Sequence, residues 1–202
     1  MSMPKRLTLP LDEAAVRQEA VGELVLLSGT VFTARDAVHH YLADGGACPC
    51  DLRNAVIYHC GPVVVRQGAG WRVTAAGPTT SRREEPYMAT LISRYGIRGV
   101  IGKGGMGEST RQACREFGCL YLHAVGGAAQ VLADAIREVR AVHLLERFGA
   151  PEAMWELLVE DFPAVVTMDA HGRSLHDEVL TRSRAACAAL LGGPPREGGV
   201  SP

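Results

Sequence analysis

Three short stretches carry side chains able to do chemistry: Thr33-Ala-Arg-Asp-Ala-Val-His-His40, Gly77-Pro-Thr-Thr-Ser-Arg-Arg-Glu-Glu-Pro86 and Gly102-Lys-Gly-Gly-Met-Gly-Glu-Ser-Thr110. Arg35, Arg82 and Arg83 are planar, permanently charged donors of the kind that grip carboxylates bidentately. Lys103 adds a point charge within a loop whose glycines, Gly102 and Gly104 among them, let backbone N–H groups approach an anion where a helix begins. The spacing is not that of a nucleotide P-loop, because the lysine opens the loop instead of closing it. Thr79, Thr80 and Ser81 offer hydroxyls that either hydrogen-bond a substrate and move a proton or cap the helix that follows. His39 lies one helical turn beyond Arg35 and shares its face, and Asp36 is the acidic residue a helix start favours. Three cationic strand-end loops point to one pocket for a doubly anionic substrate.

These charges are local, since the 202-residue chain carries a formal net charge of only −1. No global field exists to attract nucleic acid or an anionic membrane. The opening MSMPKRLTLPLDEAAV lacks the apolar core of a signal peptide, and no apolar run approaches the roughly 20 residues of a membrane span. Six cysteines are too few for a disulfide scaffold of this length, so a soluble cytoplasmic protein is expected. Cys48, Cys50, Cys60, Cys114 and Cys119 lack the paired spacing of a zinc site or the runs of a ferredoxin. Cys60 and Cys119 sit in or beside apolar strands, as buried thiols do, and no metal ligand is assigned in this chain.

The elements that must position the three stretches follow from periodicity and punctuation. Residues 11–23 open with a short helical signal, and 23–33 read as two short strands broken by Gly29. Residues 34–42 read as helix, 55–60 as strand, and 63–66 with 71–74 as a hairpin. Helix is expected over 87–95, strand over 99–102, helix over 108–117, strand over 119–124 and helix over 128–139. A strand over 164–169 and a helix over 177–191 finish the pattern. With 47% hydrophobic residues, this interleaving predicts a single α/β domain over residues 1–191, followed by a disordered Gly/Pro-rich tail over 192–202.

Gly29-Thr-Val-Phe-Thr-Ala-Arg-Asp-Ala-Val-His39, Gly77-Pro-Thr-Thr-Ser-Arg-Arg83, Ile101-Gly-Lys-Gly-Gly-Met106 and Asp161-Phe-Pro-Ala-Val-Val-Thr-Met-Asp-Ala-His-Gly172 occur in this order. Together they resemble the β subunit, or C-terminal domain, of the iron–sulfur hydro-lyases: class I fumarases and L(+)-tartrate dehydratases. The resemblance runs from about Leu7 to Leu191. It implies a swivelling β/β/α domain and an active site shared with an α subunit that carries a 4Fe-4S cluster. It implies a dicarboxylate substrate and a hetero-oligomer, αβ or α2β2, with no nucleic-acid or membrane partner.

Position by position, the resemblance makes Arg35 and Arg83 the carboxylate-binding arginines, Thr79 the proton-transferring residue and Lys103 the substrate-binding lysine. Asp36, His39, Thr80, Gly102 and Gly104 match supporting positions. Arg82 competes with Arg83 for the second carboxylate, and Glu84 stands where methionine is common. The reaction implied is reversible hydration of fumarate to (S)-malate, with dehydration of L-tartrate as the alternative. A non-catalytic carboxylate-binding or assembly module, and a thiol or zinc protein built on Cys48, Cys50 and His59, are the readings of other classes. His123, expected at a strand-to-helix turn, is either close to the subunit interface or structural.

Overall fold

The computed structural model describes residues 3–191, so the tail over 192–202 lies outside the described residues. Among the described residues the chain runs β1 (Lys5–Thr8), α1 (Glu13–Val16), β2 (Leu24–Thr33), α2 (Asp36–Ala43), β3 (Val56–Tyr58), β4 (Val63–Gln67) and β5 (Gly70–Ala75). A 3-10 turn (Ser81–Glu84) leads into α3 (Glu85–Tyr95), then β6 (Gly99–Gly102), α4 (Glu108–Phe117), β7 (Leu120–His123) and α5 (Ala129–Asp134). The rest is β8 (Ile136–His143), α6 (Leu145–Phe148), β9 (Met154–Met168) and α7 (Leu175–Leu191). The single α/β domain expected from the sequence is what the chain forms.

Strands β2, β3, β6 and β7 lie parallel, side by side in that order. The residues of β3 and β6 and the first three of β7 are buried, as strands covered on both faces must be. The long antiparallel β9 then pairs with β7 at one end, Tyr121 opposite Met168, and with β2 over most of its length, from Leu24 opposite Val165 to Phe32 opposite Glu156. The sheet is thereby closed into a five-stranded ring. β1 extends it beside the start of β2, β8 lies beside the first half of β9, and β4 and β5 form a separate hairpin.

Alternation along the parallel strands separates two cores. Val31, Tyr58, Ile101, Leu122, Trp155 and Phe162 belong to one cluster within the ring. Ile57, Val100 and Tyr121 face the other way and pack with Leu42, Met88, Ile92 and Cys114 from α2, α3 and α4. Each large side chain so removed from water contributes about 1.5–3 kcal/mol, which is why these helices are fixed on the sheet. No residue of α7 is buried, so that helix gains little from packing.

Two expectations are corrected. In place of the two strands expected over 23–33, Leu24–Thr33 forms one, because Gly29, at φ 130°, takes up a bulge in the pairing with β9. The helix expected over 128–139 ends at Asp134, and β8 begins two residues later. Bulges between Ile136 and Glu138 and between Val139 and Ala141 leave Ile136, Val139 and Val142 as the partly buried apolar residues packed on the core. Their spacing of three imitates a helical stripe.

Candidate active site at the carboxyl ends of the parallel strands

The three stretches meet at one edge of the sheet. Arg35 follows β2, His59 follows β3 and Lys103 follows β6, and this carboxyl edge is where α/β sheets bind ligands. The threonine stretch arrives from the hairpin and lies down between two strand ends. Thr79 donates its N–H to the His59 carbonyl at 2.7 Å and its hydroxyl to the same oxygen at 3.1 Å. Ser81 N–H donates to the Lys103 carbonyl at 3.0 Å, and Thr80 pairs with Lys103 in parallel register. Thr79, Thr80 and Lys103 are therefore neighbours. Thr80 makes no side-chain cap at the turn that follows, so the capping reading of the hydroxyls is not realised.

Arg35 is held from a distant part of the chain. Its Nη1 lies 3.2 Å from Glu152 and 3.4 Å from the Pro151 carbonyl, while its buried Nε has no hydrogen-bond partner among the described residues. Glu152 also accepts from Ala37 N–H at 3.0 Å, filling the start of α2 that Arg35 leaves uncapped. Gly61 passes so close that an added Cβ would sit 2.8 Å from Arg35 Nη1 and 2.5 Å from the Pro151 carbonyl. Arg83 pairs with Asp36 at 3.4 Å, both half exposed. Arg82 is exposed and makes no ion pair among the described residues. Lys103 runs along Gly126, whose added Cβ would lie 3.9 Å from Nζ.

Behind this front lies a buried polar cluster. Tyr121 OH donates to Ser81 Oγ at 2.9 Å, and Ser81 Oγ lies 2.8 Å from His59 Nδ1. Gly102 makes the cluster possible: an added Cβ would stand 1.8 Å from Ser81 Oγ and 3.1 Å from Tyr121 OH. The His39 ring meets His59 edge-on at 4.9 Å, and its Nδ1 lies 2.9 Å from the Arg35 carbonyl and 3.4 Å from Glu84. Burial holds His39 down at about 4 and pushes Glu84 up to about 8, the latter aided by Asp36. At neutral pH the contact is thus between a neutral imidazole and a neutral carboxylic acid. Burial, reinforced by His39, also keeps His59 neutral.

Glu85 explains the second glutamate of the stretch. Its carboxylate accepts from Gly107 N–H at 2.6 Å, Thr110 N–H at 3.2 Å and Thr110 Oγ1 at 2.7 Å, covering the start of α4. The anion held by those helix-terminal amides is therefore the chain's own, which leaves Lys103 as the loop's cationic contribution. His123 ends β7, and its ring lies 6.0 Å from that of His176, which packs against Gly105. The fourth motif is structural. Asp169 folds a turn by accepting from His171 and Arg173 N–H, each at 3.0 Å, near the beginning of β7 and not its end.

Glu152, Tyr121 and His176 were not singled out from the sequence. Glu152 lies 117 positions from Arg35 (152 − 35), and only the fold reveals the contact. His59 carried a local signal, a polar ring closing an apolar strand. Among the described residues no three His, Cys, Asp or Glu side chains converge as metal ligands. Cys48 Sγ lies 3.1 Å from the Cys50 carbonyl, and Cys50 Sγ lies 3.6 Å from Met154 Sδ, while His59 faces Ser81. The metal site imagined on Cys48, Cys50 and His59 is thus not formed, and the chain's own residues do not fit an iron–sulfur cluster.

Residues 4–179 match the family described as Fumarase C-terminus. The chain is 55% identical over 174 residues to a putative class I fumarate hydratase of Geobacillus stearothermophilus, covering 86% of this chain and 34% of that protein. It thus spans about a third of that relative's length. It is 37% identical over 187 residues to a putative L(+)-tartrate dehydratase subunit beta of Methanocaldococcus jannaschii, covering 90% of this chain and 96% of the relative. Against the L(+)-tartrate dehydratase subunit beta of Escherichia coli K12 the identity is 37% over 175 residues, covering 86% and 87%.

Proposed function

Because the chain belongs to the fumarase C-terminus family, we propose that it is the β subunit of a two-subunit hydro-lyase interconverting fumarate and (S)-malate. The observation that carries the proposal is the threonine stretch lying between two strand ends, Thr79 bonded to His59 and Thr80 paired with Lys103, at the edge from which Arg35 also emerges. Substrate carboxylates are bound by Arg35 and Arg83, with Lys103 stabilising the charge that develops when the neighbouring C–H loses its proton. Arg35 suits this role because its buried Nε has no partner among the described residues.

Thr79 takes the proton from carbon in dehydration and returns it in hydration. In the resting structure its hydroxyl donates to the His59 carbonyl, so Thr79 must first release that proton, and nearby cationic charge favours the alkoxide that then takes the proton from carbon. Asp36, His39, Thr80, Gly102 and Gly104 support these groups. The 4Fe-4S cluster and the general acid that meets the departing hydroxyl are assigned to the α subunit. Six free cysteines suit a cytoplasmic enzyme.

The 55% identity to the fumarate hydratase favours fumarate. An L(+)-tartrate dehydratase β subunit is the second reading, favoured by relatives of that name matched over 96% and 87% of their length. The test is hydratase turnover by the chain alone and after anaerobic assembly with its α subunit, offered fumarate, (S)-malate and L-tartrate. Turnover is expected only in the complex, falling at least about a hundredfold in Thr79→Ala and Lys103→Ala. Turnover by the isolated chain, or silence of a stable, iron-loaded complex, overturns the proposal.

A further inference from the structure

His59 stands between Thr79, the start of the Lys103 loop and Arg35, yet is assigned no contact with the substrate. Its carbonyl receives both hydrogen bonds made by Thr79. Its N–H donates to Ile101 at 2.8 Å, fixing it to β6 just ahead of Lys103. Its ring Nδ1 meets Ser81, only two residues beyond Thr79. On its other side it packs against His39, whose Nδ1 meets the Arg35 carbonyl. Two residues on, Gly61 lies against the Arg35 side chain.

We propose that His59 is a positioning residue that holds Thr79 and Arg35 in register for proton transfer at the substrate carbon. The inference rests on the roles given to Thr79 and Arg35 under Proposed function. Two contacts link the ring to the sheet: Tyr121 OH donates to Ser81 Oγ, and Ser81 Oγ lies 2.8 Å from Nδ1. Nδ1 accepts the serine proton when the ring carries its hydrogen on Nε2, which is buried and has no partner among the described residues. Imidazole, serine and tyrosine are all buried, so water cannot replace a lost partner and the loop holds one geometry. A displacement of about 1 Å at a reacting group costs roughly a hundredfold in rate.

Two measurements test this. In the assembled complex, Ser81→Ala and Tyr121→Phe are expected to lower kcat roughly tenfold to a hundredfold with KM for malate little changed. His59→Asn, whose amide reaches the Nδ1 position, should retain more of kcat than His59→Leu. In the full-length chain alone, amide hydrogen exchange at Thr79 should accelerate in Ser81→Ala while Val100 and Leu122 keep their protection. Unchanged Thr79 exchange in Ser81→Ala overturns the inference, as does a kcat in Ser81→Ala and Tyr121→Phe equal to that of the active wild-type complex. An inactive wild-type complex would instead overturn the hydro-lyase reading, and the exchange measurement would still decide the positioning role.

Discussion

The front and the back of the candidate site are built by opposite means. In front, Arg83 and Asp36 form a pair with about half of each side chain exposed, 51% and 43%. Such pairs contribute about 0–1 kcal/mol and exchange partners readily. Behind, His39, His59, Ser81, Glu84 and Tyr121 have no measurable exposure, and Ser81 is gripped from two sides within 3 Å. Arg35 belongs to both, with its guanidinium held by Glu152 and its backbone carbonyl held by His39. Rigidity therefore resides in neutral hydrogen bonds behind the sheet edge, while the charges in front stay free to exchange Asp36 for a ligand's carboxylate.

Gly102→Ala should break this contrast most severely. Its methyl would overlap Ser81 Oγ at 1.8 Å, and neither the strand nor the serine has room to retreat. Overpacking of this kind costs about 1–3 kcal/mol or more. The expected outcome is a lower melting temperature together with loss of turnover in the complex, read by thermal unfolding and the hydratase assay. Wild-type stability with wild-type activity would mean that the back of the site is softer than its contacts imply.

A comparable but pH-dependent effect is expected at Glu84. Its folded pKa, about 8, is raised above its ordinary value of 4.5, so the unfolded chain releases the proton first. The stability this group contributes is complete below about 4.5 and is lost as pH rises through 8. His39 acts in the other sense: its folded pKa of about 4 lies below the ordinary 6.5, so stability is lost as pH falls through that window. Between pH 6.5 and 8 only the Glu84 effect remains. The Glu84→Gln variant should therefore gain on wild type as pH rises from 4.5 to 8, by an amount on the order of a few kcal/mol. Denaturant melts at pH 5 and pH 8 check this, and a constant gap would show that Glu84 is ionised in place.

The smallest effect is expected in front. Asp36→Asn removes only an exposed ion pair, and unfolding free energy should change by less than about 0.5 kcal/mol. If Arg83 serves substrate, freeing it should leave KM for malate unchanged or lower it. A large loss of stability would move the Arg83–Asp36 pair into the same class as the buried cluster.

The sequence disclosed the front of the site far better than the back. Arg35, Thr79 and Lys103 sit in stretches whose composition makes no sense as core, so local pattern sufficed to mark them as candidates. Their convergence depended on the parallel order of β2, β3 and β6, which the alternation of strands and helices implied. Tyr121 and Ser81 meet across 40 positions, and each looks locally like an ordinary strand tyrosine or turn serine. Glu84 and Glu85 are adjacent and chemically alike in the sequence, whereas one is buried against His39 and the other covers the start of α4. The bulges of β8 replaced the period of two with a spacing of three, so that segment was misread for a geometric reason.

The last feature to draw on is the closure of the ring by β9. Protein synthesis delivers β2 early and β9 near the end of the described chain, so Met168 must leave the ribosome before the final pairings with β2 and β7 form. At roughly 5–20 residues per second, the nascent chain carries the open edge of β2 for about ten seconds or more, and the open edge of β7 and the unpartnered β8 for a few seconds. Exposed strand edges of this kind invite stray pairing. The ordering of β9 is thus the committing event in the birth of this protein, and it completes both the fold and the scaffold on which Arg35 is held.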